Sequence, residues 1–212
     1  MEFVSHDGDA LKCHPDSLIA TVSNISFELQ EQLTSVLRAG DIGQCERTVA
    51  KRLGELPPSP FHAVLDLSIS NPPQEVAAFF DRFCLKEEGR VKMAAAYAEM
   101  NGFDINPKRW YFSFFGFEEY GGHATYDWLA DWQSEDKSVM TITGLEPLQE
   151  VYASAVFDDN MFGTACDLAS LLVVIKFQDM IGRAAPHMER LRFPLLATAH
   201  DYDFIFEARP RF

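Results

Sequence analysis

A chain of 212 residues with 47% apolar and 24% charged content is long enough to bury a substantial core and too hydrophobic for wholesale disorder. Its apolar runs fall far short of the roughly 20 residues a membrane-spanning helix needs. The opening Met1-Glu2-Phe3-Val4-Ser5-His6-Asp7 lacks the basic start and apolar stretch of a secretory signal, so a cytoplasmic location is expected. A net charge of −14 argues against nucleic acid and anionic membranes as partners, because their binders present basic surfaces.

No repeat, low-complexity tract or long linker interrupts the sequence, and a single domain over 1–212 is expected. Residues 1–25 follow no clear period, which leaves their order open. Phe27 to Arg38 then reads as a helix, with Leu29, Leu33, Val36 and Leu37 on one side and Gly40 as its stop. Asp41 and Gln44 have the spacing of a capping box, and Ile42, Cys45, Val49, Leu53 and Leu56 follow as a helical stripe. The prolines of Leu56-Pro57-Pro58-Ser59-Pro60 stop that helix. From His62 to Ser70 the period changes to two, which predicts a strand with one wet face.

Asn71 is placed as an N-cap, with Pro72 in the first turn of a helix that buries Val76, Phe79, Phe80, Phe83 and Cys84. Gly89 separates it from a second predicted helix, Val91 to Met100, which Asn101-Gly102 ends. Trp110 to Phe117 is apolar on both faces, as a central strand covered on both sides would be. His123 to Lys137 reads as a short helix or a structured loop, and Val139 to Thr143 as another strand. Thr143 with Glu146, and Thr164 with Asp167, suit capping boxes for helices through Val156 and from Ala165 to about Gly182. The second is apolar almost all round and should be the buried central helix. Phe193 to Ala199 and Tyr202 to Ala208 close the sheet. Helices and strands do not alternate, so the pattern predicts an α+β fold: one mixed or mainly antiparallel sheet of about 4–6 strands packed by helices.

The most informative stretch runs from Trp110 to Trp132. Ten of its 23 residues are aromatic, and it holds all three tryptophans of the chain. The wider segment 110–175 has only Lys137 against 11 acidic residues, so most of the negative charge is concentrated there. Glu118, Glu119, Tyr120, Tyr126, Asp127, Trp128, Asp131 and Trp132 alternate carboxylates with aromatic rings across Gly121-Gly122. Asp127 and Asp131 are four apart, as are Trp128 and Trp132. On a helix each pair shares a side. Aromatic anchors flanked by acids suit a basic protein partner: the rings supply contact area with few rotatable bonds, and the charges steer the encounter. These eight residues form the expected partner-binding site. The competing assignment is an amphipathic element docked by its tryptophans.

His200-Asp201-Tyr202-Asp203 is the most ligand-like short run, and a metal-dependent hydrolase using His200, Asp201 and Asp203 is the alternative function. It would need a distant ligand such as His6, Asp7, His123 or Asp66, and an Asp-rich hairpin turn explains the same letters. Asp158-Asp159-Asn160 reads as an exposed loop. Cys13, Cys45, Cys84 and Cys166 are scattered and expected to be reduced, mostly buried thiols. With no Gly-rich phosphate loop, Gly-x-Ser-x-Gly or His-Glu-x-x-His, no cofactor is implied and a non-enzymatic role is favoured. The phenylalanine count alone also admits an aromatic-lined pocket. In size, acidity and aromatic content the chain resembles the small cytoplasmic inhibitor and immunity proteins that bacteria use against toxins. That resemblance implies a basic protein partner and assigns no residue a role.

Overall fold

The architecture is that of a computed structural model, which describes residues 24–154 and 159–210. The order of residues 1–23, and Cys13, His6, Asp7 and Asp158 with them, lie outside the described residues. Among the described residues there are five α-helices: α1 (Asn24–Arg38), α2 (Ile42–Gly54), α3 (Pro73–Glu87), α4 (Glu146–Ser154) and α5 (Asp159–Ala184). Six strands form one mixed sheet: β1 (Ala95–Met100), β2 (Tyr111–Phe117), β3 (Ser134–Glu135), β4 (Met140–Thr141), β5 (Leu195–Ala199) and β6 (Phe206–Ala208). The order is β3-β2-β1-β5-β6, with β4 also pairing β2; β1 and β5 are parallel and the other pairs antiparallel. This is the expected α+β fold.

One sheet face carries the main core. Phe112 and Phe114 of β2, Ala96, Ala98 and Met100 of β1 and Leu195 and Ala197 of β5 meet α3 and the central helix α5. Leu168, Leu171, Leu172, Val173, Val174 and Ile175 are all fully buried, as an apolar helix in the middle of a domain must be. It starts at Asp159, so Asp159 and Asn160 belong to the helix and not to a loop, and the Thr164–Asp167 capping box falls inside it. Among the described residues no helix is long and apolar enough to cross a membrane. Burial pushes the thiols of Cys45 and Cys166 up to about 11 and that of Cys84 up to about 12, so all three stay protonated at neutral pH.

Three further local expectations change. His62 to Ser70 is not a strand: Pro60–Asp66 forms a 3-10 turn that buries Phe61 and Val64, three apart, while Leu65 is exposed. Its start is set by the Ser59 amide, which donates to Nδ1 of His62 at 3.1 Å. Val91 to Met100 is not a helix. Ala95, Ala96 and Ala98 have high helix propensity, yet they form inner strand β1 and are fully buried. Small side chains are what an inner strand needs when Phe112 and Phe114 of the next strand fill the helical layer, and packing overrides a propensity worth a few tenths of a kcal/mol per residue. Asn71 caps no helix; its amide donates to the Thr141 carbonyl and accepts from the Thr143 amide, each at 2.9 Å, tying the loop before α3 to the sheet edge.

Candidate partner-binding face

The side chains of β2 alternate, and its odd-numbered residues place Phe115 and Phe117 on the face away from the main helical layer. A second, smaller core forms there from Ala95, Tyr97, Phe117, Leu196 and Ile205, with Phe115, Tyr120, Tyr126, Trp128 and Leu129 packed against it. The segment 118–133 is therefore a lid folded over the second sheet face. It contains only one 3-10 turn, Asp127–Ala130, so Asp131 and Trp132 fall outside any helix and the four-residue spacings do not align side chains.

Two glycines set the path of the lid. A Cβ on Gly121 would stand 2.3 Å from Cδ1 of Trp128, so only glycine lets the indole lie against the chain there. Gly122 has φ +72°, a left-handed backbone that other residues adopt at a cost. Trp128 then packs edge-on to Phe117, with ring centres 5.0 Å apart, and its Nε1–H donates to the Gly122 carbonyl at 3.1 Å. Gln133 closes the loop at its base. Its amide donates to the Gly116 carbonyl at 3.0 Å, its Oε1 accepts from the Glu118 amide at 2.7 Å, and its Nε2 donates to the Asp131 carbonyl.

The three tryptophans thus divide by environment. Trp110 is fully buried in the main core, donating to the Phe103 carbonyl at 3.0 Å. Trp128 is half-buried and structural. Trp132 is 47% exposed and stands edge-on to Phe115, with centres 5.4 Å apart. Glu118, Glu119, Asp127 and Asp131 are all exposed, and none has an ion-pair partner among the described residues. Other acids nearby are already matched, Glu135 with Lys137 and Asp136 with Lys86. The lid therefore presents an exposed indole on an aromatic shelf, in a segment whose four exposed carboxylates are uncompensated. Of the eight expected residues, Tyr120, Tyr126 and Trp128 serve mainly to build the lid.

Beyond the lid the sheet face continues through half-buried Ser113, Glu99 and Tyr111. Arg109 stacks on Tyr111 at 5.6 Å and donates to Oγ1 of Thr141 at 2.8 and 3.1 Å, so it contributes no ion pair to the acids. Burial, then Glu99, Asp203 and Asp201, hold the Tyr97 phenol well above its ordinary range, keeping it neutral.

His200 to Asp203 is the turn between β5 and β6, with Asp201 at φ 66°. His200 Nδ1 lies 3.1 Å from Oε1 of Glu99, and its Nε2 lies 3.6 Å from Oδ1 of Asp201. The hydrogen bond to Glu99 raises the His200 pKa, against a smaller effect of desolvation. Among the described residues no group of three or more His, Cys, Asp or Glu is placed to hold a metal ion.

Phe115 and Gln133 escaped the sequence reasoning. Phe115 was indistinguishable from the other aromatics of a strand covered on both sides, and only the sheet partners show that its cover ends at Trp132. Comparison of the chain with protein-family models, with curated proteins and with solved structures finds no match.

Proposed function

We propose that this is a non-enzymatic binding protein of the cytoplasm whose lid engages a basic protein. An inhibitor of the immunity or antitoxin kind is the sharpest form of the proposal. The observation that carries it is the combination of Trp132, half exposed on Phe115, with four exposed carboxylates that lack an ion-pair partner among the described residues. An aromatic ring of this kind is a contact anchor, worth 2 kcal/mol or more at a typical interface hot spot (about 30-fold in Kd). Glu118, Glu119, Asp127 and Asp131 steer the approach and pair with Arg or Lys of the partner.

Affinity capture from the native cell with the wild type, Trp132→Ala and an Asp127→Lys/Asp131→Lys double variant tests this. A basic protein retained by the wild type and depleted from both variants supports the assignment. Equal recovery of every captured protein by all three would reject the site.

A further inference from the structure

A row of three rings leads from the lid across the second sheet face. Tyr97 of β1 stands opposite Phe115 of β2 with ring centres 6.1 Å apart, and Phe115 meets the exposed Trp132 at 5.4 Å. Tyr97, at the inner end, is only 7% exposed, yet its hydroxyl has no hydrogen-bond partner among the described residues. A phenol so deeply placed ordinarily finds one. Nor is the oxygen sealed in: among the described residues only Oε1 of Gln178 is both shut off from solvent and unpartnered. Burial, and then the charges of Glu99, Asp203 and Asp201, raise the Tyr97 pKa, so the hydroxyl stays protonated in the field of three carboxylates. Glu99 and Asp201 flank His200, at 3.1 and 3.6 Å. Asp203 is exposed and has no ion-pair partner among the described residues. The row therefore ends at an unsatisfied oxygen beside uncompensated negative charge.

We propose that Phe115, Tyr97, Glu99 and Asp203 form a subsite for one arginine side chain of a protein partner. The proposal rests on the reading of the lid as a partner-binding face and gives that partner's basic residue a place. A partner anchored on Trp132 sends its arginine along half-buried Phe115 to the Tyr97 oxygen. Guanidinium suits such a path because it is planar, stacks on aromatic rings and presents its N–H groups as a rigid fork. One N–H donates to the phenol oxygen and another to the carboxylate of Asp203 or Glu99, a charge-assisted bond. A lysine ammonium is a compact, strongly hydrated charge and cannot stack and fork at once. The site differs from a metal centre: among the described residues no three such groups are placed to hold one ion. Its wall of rings favours an organic cation.

Titration of the full chain with N-acetylargininamide, followed by NMR of the tyrosine rings and indole N–H groups, tests the subsite. The Tyr97 and Trp132 signals, identified by their loss in Tyr97→Phe and Trp132→Ala, are expected to shift together along one saturating curve. Tyr97→Phe removes only a hydroxyl that has no partner in the free protein, so its Tm should not fall. It should weaken binding, read at Trp132, about 10-fold through the loss of one charge-assisted hydrogen bond. Asp203→Asn should weaken it by a similar factor, and N-acetyllysinamide should bind the wild type less tightly than the arginine probe. Shifts that do not saturate, an affinity unchanged in either folded variant, or equal affinity for the two probes would each overturn the proposal. Affinity capture separates this outcome from the reading beneath it. A basic protein lost with Trp132→Ala but fully retained by Tyr97→Phe and Asp203→Asn would keep the lid as the partner site and remove the arginine subsite. Saturable, Tyr97-dependent arginine binding without any captured basic protein would support the subsite and count against that reading.

Discussion

Gly121 leaves no space for a side chain against the Trp128 indole, and this single contact decides which tryptophan faces inward. Gly121→Ala should push the ring off Phe117 and cost roughly 1–3 kcal/mol through overpacking, seen as a lower Tm and red-shifted tryptophan emission. The two indoles of the lid should respond differently to truncation. Trp128→Ala removes a half-buried ring from the small core and should cost about 2–4 kcal/mol, toward the lower end for a large aromatic. Trp132→Ala removes a half-exposed ring that stands on Phe115 and should change stability by less than about 1 kcal/mol, which chemical denaturation of both variants would compare. The four-residue spacing of these tryptophans was visible in the sequence, but it implied that they share a side. One inserts and the other stands out, because the lid has a single 3-10 turn where the spacing anticipated a helix. No periodicity reveals where a short irregular loop turns its rings.

At the scale of elements, the lid and β6 are joined through Glu207, which accepts from the Tyr120 hydroxyl and lies 2.9 Å from Nε2 of His123. Glu207→Ala should therefore speed amide hydrogen exchange across residues 118–133 while amides in the middle of α5 keep their protection. Equal loosening of both would show that Glu207 supports the whole fold and not the lid alone. The long elements were legible because burial imposes a strong period on them: α1, α2, α3 and β2 appear close to where their apolar patterns placed them, and α5 is the buried helix its composition demanded. Strand β1 was not legible. Ala95-Ala96-Tyr97-Ala98 reads as a helix locally, and only the bulk of Phe112 and Phe114 beside it explains why small residues line an inner strand. The turn at Pro60–Asp66 misled for a related reason, since a short alternation of apolar residues arises in a turn as readily as in a strand. The link from Glu207 to His123 spans distant parts of the chain, and no local pattern announces it.

Over the whole molecule, charge governs both stability and encounter. His200 gains Glu99 as a partner on folding, so its folded pKa lies above its ordinary value of 6.5. A raised histidine pKa contributes stability that is fully present below the unfolded value and disappears as pH rises through the folded one. His200 is exposed and Glu99 half-buried, so solvent screening keeps the contribution under about 1 kcal/mol. Melting curves of the wild type and His200→Gln should differ most in mildly acidic solution and converge as pH rises above neutral. A gap that widens with pH would contradict the sign of that coupling. The concentration of 11 acids against Lys137 in residues 110–175 was readable from the sequence. What required the fold was that Glu118, Glu119, Asp127 and Asp131 remain exposed without cation partners while Glu135 and Asp136 are matched. Four such carboxylates should act mainly on the rate of encounter with a basic partner, and Trp132 on the lifetime of the complex. The most direct measurement is the association rate of the captured partner with wild type and with Asp127→Lys/Asp131→Lys, at low and at high salt. The rate for the double variant is expected to fall about 10-fold or more at low salt, by a factor that shrinks as salt is added. An association rate unchanged by charge reversal at low salt would contradict it.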